Sequence, residues 1–176
     1  MAASKDDLLG IISTGETIVP ITRLVGPELV VMDIPGGSRR GVLTPMVRAL
    51  ADSGIAVDVE TYVGLLLRRE SMVSTAVKAG VAFPHLREPG AIPVERPCVV
   101  LGICPGGTDF NALDGGPTYV LIMCCSGREV VHLRLMAKMA MLFRADDMVN
   151  NIRAAETKQD VLSLLVKTDS EIAMSM

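Results

Sequence analysis

The sequence predicts an α/β (α+β) fold, with one mixed β-sheet flanked by helices in a single domain. Two apolar runs, Cys98 to Cys104 and Thr118 to Cys125, are rich in Val, Ile and Cys and read as buried strands. Two other stretches, Asp58 to Glu70 and Glu129 to Phe143, repeat apolar residues at the i, i+3, i+4 spacing of a helix face. Strand and helix patterns are mixed along the chain, with no internal repeat or low-complexity tract.

Taken in order, residues 1–23 read as an N-terminal extension with one short amphipathic turn around Lys5 to Ile12, and residues 24–176 as the domain. Leu29 to Ile34 is apolar enough for a short strand, and Pro35-Gly36-Gly37 breaks it. A helical stretch follows from Ser38, its candidate N-cap, to about Ser53, with Gly54 as the stop. Pro45 leaves two readings open: a helix that kinks there, or one that starts at Thr44 with Pro45 at the first helical position. Asp58 caps the next helix, whose stripe is Val59, Tyr62, Val63, Leu66 and Leu67 and whose end is Arg68-Arg69-Glu70. Ser71 to Ala79 reads as an irregular connection, and Val81 to Phe83 as a strand ending at Pro84-His85. Three prolines and a glycine make Pro89 to Pro97 a loop before the strand Cys98 to Cys104. Asp114-Gly115-Gly116-Pro117 is a turn into the strand Thr118 to Cys125, whose near-continuous apolar character fits a central position. The helix from Glu129 carries His132, Leu135, Met136, Met139, Leu142 and Phe143 on one stripe. Asp146 and Asp147 open a further helix to about Ala154, and Thr157 with Asp160 forms a capping box for a last helix through Val166.

The composition removes several classes of function. A chain of 176 residues builds one domain with a sizeable core and is short for two. Its hydrophobic fraction is 49%, yet no stretch reaches the roughly 18 to 20 apolar residues of a membrane span. Met1 to Arg23 carries Asp6 and Asp7 and no uninterrupted apolar segment, so it is not a secretory signal. A net charge of −3, 3% aromatics and no Trp leave no footprint for nucleic acid. The expectation is a cytoplasmic protein with no nucleic-acid partner and no direct membrane insertion. Cys98, Cys104, Cys124 and Cys125 sit in strand-like segments without a CxxC pair, which reads as buried, reduced thiols.

Of two histidines in the chain, His85 follows an apolar strand and a proline, where a side chain is delivered to a strand end. An imidazole there is nucleophilic and partly neutral near pH 7. The other, His132, lies on the apolar stripe of its helix. Alone, the first reads as a turn residue and the second as a satisfied core histidine.

The run Leu67-Arg68-Arg69-Glu70-Ser71-Met72-Val73-Ser74-Thr75, followed by Gly80-Val81-Ala82-Phe83-Pro84-His85, resembles the signature of the type-2 enzyme IIA domains. These belong to the bacterial phosphoenolpyruvate:sugar phosphotransferase system, in its mannitol/fructose and nitrogen-regulatory classes. Asp114-Gly115 with Pro117, His132-Leu133 and Asp146-Asp147 agree in order, so the resemblance covers roughly Leu24 to Val166. It implies a phosphotransferase with a phosphohistidine intermediate. His85 would accept a phosphoryl group from the carrier protein HPr and pass it to a IIB domain, or hold it as a signal to a regulated target protein. His132 would lie beside His85, and Arg69 would stabilise the phosphoryl group, with Arg68 the competing candidate for that place. Ser74 and Thr75 are further candidates for phosphate contact.

Phosphoryl transfer needs an in-line nucleophile and donors around the equatorial oxygens. Imidazole supplies the first and a guanidinium fork the second, so no metal or cofactor is expected. The absence of IIB or membrane segments in the sequence tilts the expectation towards the nitrogen-regulatory class. The chain departs from the family at Ala76-Val77-Lys78-Ala79, where a glycine-rich turn is usual, and at Leu86-Arg87, where a small residue usually follows the histidine. These departures keep a second reading open, a regulatory interaction module with a IIA-like fold and no transfer activity.

Overall fold

The structure is a computed structural model that describes residues 19–145 and 147–175. Five strands form one mixed sheet: β1 (Val30–Val31), β2 (Ala76–Val77), β3 (Val81–Ala82), β4 (Cys98–Thr108) and β5 (Thr118–Cys125). Their order across the sheet is β1-β4-β5-β3-β2. β1 runs parallel to β4, β4 antiparallel to β5, β5 parallel to β3, and β3 antiparallel to β2. Consecutive residues Val99, Val100, Leu101 and Val120 to Met123 are all fully buried. Alternate side chains of a strand point to opposite faces, so both faces of β4 and β5 are covered.

Among the described residues five α-helices provide that cover: α1 (Arg39–Asp52), α2 (Val59–Glu70), α3 (Glu129–Leu142), α4 (Met148–Ala154) and α5 (Lys158–Ser175). Ser38 Oγ accepts from Gly41 N–H, so the first helix starts at Arg39 and continues through Pro45. The proline costs one main-chain bond to the Gly41 carbonyl but does not end the helix. Its Leu43, Met46, Val47 and Leu50 bury against the sheet. Asp58 Oδ1 caps α2 through Thr61 N–H at 2.8 Å. Thr157 and Asp160 form the reciprocal capping box that opens α5.

Several boundaries differ from the sequence reading, and of the strand expected over Leu29 to Ile34 only Val30–Val31 forms one. Ser71 to Ala79 is not wholly irregular, because Ala76 and Val77 pair with Ala82 and Val81. A two-residue strand is too short to show alternation, and its partner is brought round by a turn with Ala79 at φ 68° and Gly80 at φ 79°. β4 runs on to Thr108, with a register irregularity between Ile103 and Thr108 that absorbs Pro105-Gly106-Gly107. α5 extends to Ser175 rather than Val166. Lys167 to Glu171 interrupts the apolar stripe but contains no helix-breaking Gly or Pro, and Asp169 ties the added turns to the body. α4 begins after Asp147, which is left-handed (φ 59°) and makes no side-chain cap. Asp146 and the turn expected around Lys5 to Ile12 lie outside the described residues.

Candidate functional site

β3 and β5 are parallel and adjacent, so the segments leaving their C-terminal ends emerge side by side. Such edges are where open α/β sheets place their chemistry. From β3 the chain passes through Phe83 and Pro84 to His85. From β5 it passes through Ser126 to Arg128 into α3, whose first turns carry His132. The two imidazole centroids are 5.5 Å apart, with planes tilted by 48°.

The ring of His85 is held from both sides. Nδ1 lies 2.7 Å from the carbonyl oxygen of Phe83. A carbonyl only accepts, so Nδ1 carries the proton and Nε2 keeps its lone pair in the neutral ring. Arg69 Nε–H donates to that Nε2 at 3.3 Å. Burial pushes the His85 pKa below the ordinary imidazole value, and the Arg69 charge acts in the same direction against the Phe83 hydrogen bond and Glu70. The result is a neutral imidazole at pH 7 with a defined nucleophilic nitrogen.

His132 is 5% exposed, and neither of its ring nitrogens has a hydrogen-bond partner. Burial first, and the neighbouring His85 second, bring its pKa down to about 4. A buried polar group without a partner is costly and rare in a folded chain. Here it leaves one N–H and one lone pair free beside the nucleophile.

Arg69 also donates through Nη1 to the carbonyl of Val73 at 2.8 Å. Of the adjacent arginines, Arg69 is the one half-buried against His85, whereas Arg68 is exposed. The turn between them and β2 is closed by Glu70, which is buried. Its carboxylate accepts from Thr75 N–H and from Thr75 Oγ–H, both at 2.7 Å. Ser74 Oγ–H donates to Phe110 O, and Ser74 Oγ accepts from Ala76 N–H. Both hydroxyls expected near the phosphoryl group are therefore engaged with the protein itself, while Thr75 is buried.

The profile of the family described as "Phosphoenolpyruvate-dependent sugar phosphotransferase system, EIIA 2" matches residues 23–168. The chain belongs to this family. It is 25% identical over 151 residues to the fructose-specific EIIABC component of Bacillus subtilis, which spans 85% of this chain and 23% of that longer protein. It is 27% identical over 152 residues to a nitrogen regulatory protein of Pseudomonas aeruginosa, across 85% of this chain and 96% of that one. In fold it matches a structure of the complex of enzyme IIA-mannitol and phosphorylated enzyme IIB-mannitol from Escherichia coli. The TM-score is 0.70 at 19% identity, covering 81% of this chain and 97% of that one.

In this EIIA 2 chain the structure brings His85, His132 and Arg69 together. Sequence reasoning missed the acceptor that sets the tautomer, the Phe83 carbonyl, because a main-chain atom carries no sequence signal. It also gave Glu70 no separate part, although the adjacent Arg69-Glu70 pair was its only trace. The four cysteines are buried and free, as their apolar segments suggest. Among the described residues no helix is long and apolar enough to cross a membrane.

Proposed function

We propose that this IIA domain is a phosphocarrier whose acceptor atom is Nε2 of His85. The observation that carries the reading is the two-sided hold on that ring: Phe83 O keeps the proton on Nδ1, which leaves the Nε2 lone pair for phosphorus. The lone pair attacks the phosphorus of a phosphohistidine on an HPr-type carrier. As the new P–N bond forms, the old one breaks and its electron pair returns to the carrier imidazole. The His85 ring becomes positive and shares that charge with the Phe83 carbonyl through Nδ1–H. Nε2 then has no lone pair to offer, and the Arg69 guanidinium turns its donors to the phosphoryl oxygens. His132, neutral and without a partner, donates its free N–H to the same group. Onward transfer goes to a IIB domain or to a regulated target protein. A cytoplasmic site of action follows from such partners.

Labelled phosphoenolpyruvate with enzyme I and HPr tests the reading. Label is expected on the wild-type chain and none on His85→Ala. His132→Ala is expected to label about 100-fold more slowly, the usual effect of removing one preorganised donor. Labelling of His85→Ala at the wild-type rate would refute it.

A further inference from the structure

The departure from the family at Ala76-Val77-Lys78-Ala79 has no part in the phosphoryl chemistry. Ala79 sits at φ 68°, a conformation that glycine adopts freely and alanine rarely. The turn itself therefore does not ask for these side chains. Val77, Lys78 and Ala79 instead form one wall of a cavity of about 810 Å³. The turn before β5 and the link between α3 and α4 supply most of the remaining lining. The cavity lies against the N-terminal ends of β3 and β5, whereas His85 and His132 follow their C-terminal ends.

Small-molecule sites run to about 300–1,000 Å³, with a largely apolar lining and a few polar groups. This cavity has that size. The chain holds three Phe, two Tyr and no Trp. Phe83, Tyr119 and Phe143 all line this one cavity. In a chain so poor in aromatics, that gathering is a seat for a flat ring. The Tyr119 ring is held in place. The Arg153 guanidinium carbon lies 3.5 Å from its centroid. Gly80 and Gly107 approach so closely that a Cβ on either would fall 2.7 or 2.9 Å from a ring carbon. A wall fixed in this way loses little entropy when a ligand packs on it.

The polar lining narrows the class. Lys78 and Arg144 offer cationic donors, while Asp114, Asp147 and Asn150 offer acceptor oxygens, and all five are exposed. A simple anion would meet the two acids, and a simple cation the two bases. A ligand with a ring, hydroxyl donors and an anionic group satisfies the whole lining. Carboxylates accept from ribose hydroxyls. Arginine and lysine pair with phosphate. Bases stack on aromatic side chains.

We propose that this cavity binds a nucleoside phosphate. The base packs among Phe83, Tyr119 and Phe143, the phosphate pairs with Lys78 and Arg144, and the carboxylates take the ribose hydroxyls. The ligand reaches the acceptor through one residue. Phe83 lines the cavity, and its carbonyl oxygen lies 2.7 Å from His85 Nδ1. A nucleotide there touches the residue that fixes the His85 tautomer. The inference goes beyond the phosphocarrier reading and does not depend on it, since binding needs no transfer.

Calorimetric titration of the full, uncharged chain with ATP, GTP and UTP tests it. At least one of the three is expected to bind saturably at one site, with a Kd below about 1 mM. The matching nucleoside and inorganic triphosphate are each expected to bind about tenfold more weakly or worse, because each makes only part of the contacts. K78E/R144E changes two exposed side chains and is expected to weaken the nucleotide about tenfold or more. Ala140→Trp, at an exposed position on the α3 wall, fills the cavity and is expected to abolish binding. His85→Ala is expected to bind as wild type does. No saturable binding of any of the three nucleotides overturns the proposal. Inorganic triphosphate that binds as tightly as the nucleotide overturns it too, since the cavity is then a plain anion site. So does an equal affinity for indole-3-acetate, which makes it a site for aromatic acids. Binding that survives both K78E/R144E and Ala140→Trp, or that is lost in His85→Ala, places the nucleotide elsewhere and also overturns it. Failure of His85 to take label leaves each of these results standing, so the two readings fail separately.

Discussion

His132 is a buried base with no partner, and its protonation is linked to folding. Its folded pKa of about 4 lies below the unfolded value near 6.5. Between those two values the unfolded chain binds the extra proton and the folded chain does not, so stability falls as pH drops. The contribution is complete above about 6.5 and lost by about pH 4, and amounts to roughly 3 kcal/mol. Urea unfolding at pH 7 and pH 4.5 checks this, with His132→Gln as the control. The decline is expected to shrink by that amount in the variant; equal declines would count against it. From sequence, His132 read alone as a satisfied core histidine, since it lies on an apolar stripe. Burial was legible from that stripe. The missing partner was not, because it depends on where another element puts His85.

The turn from α2 into β2 rests on one buried carboxylate. Glu70 satisfies two donors of Thr75 and so shapes the 71–75 turn, whose Val73 carbonyl holds Arg69. Glu70→Ala leaves the buried Thr75 N–H and hydroxyl unpaired. It is expected to lower stability by about 2–3 kcal/mol in denaturant unfolding. It is also expected to slow phosphorylation, since the Arg69 anchor loosens. A loss of under about 0.5 kcal/mol would mean that the turn holds without it. Long periodic elements such as α2, α3, β4 and β5 were legible, as were the caps at Ser38 of α1, Asp58 of α2 and Thr157 of α5. β2 was not, because two residues show no period and their pairing depends on β3.

Across the whole molecule, the C-terminal helix clamps distant parts of the chain together. Asp169 pairs with Lys138 of α3 and accepts from the Ile21 N–H, both in partly buried settings. Asp169→Ala leaves an ammonium and an amide short of a partner and is expected to cost about 2–3 kcal/mol in urea unfolding. Breaking the exposed Arg40–Glu60 pair instead is expected to cost under about 1 kcal/mol. Equal effects would contradict the clamp. The turns carrying Asp169 were read as lying past the last helix because polar residues break its stripe. Their tertiary partner, Lys138, is what the pattern could not show. The fold class needed only patterning, whereas the site needed the ordered motifs and then the geometry of two parallel strand ends. The central claim is that His85 accepts phosphorus on Nε2 because its Nδ1 proton is fixed by Phe83. Nitrogen-15 NMR of the imidazoles, before and after charging by phosphoenolpyruvate, enzyme I and HPr, tests it most directly. The account predicts an Nδ1–H tautomer of His85 in the free chain and phosphorus coupled to His85 Nε2 in the charged one. Phosphorus on Nδ1, on His132, or on no histidine would contradict it.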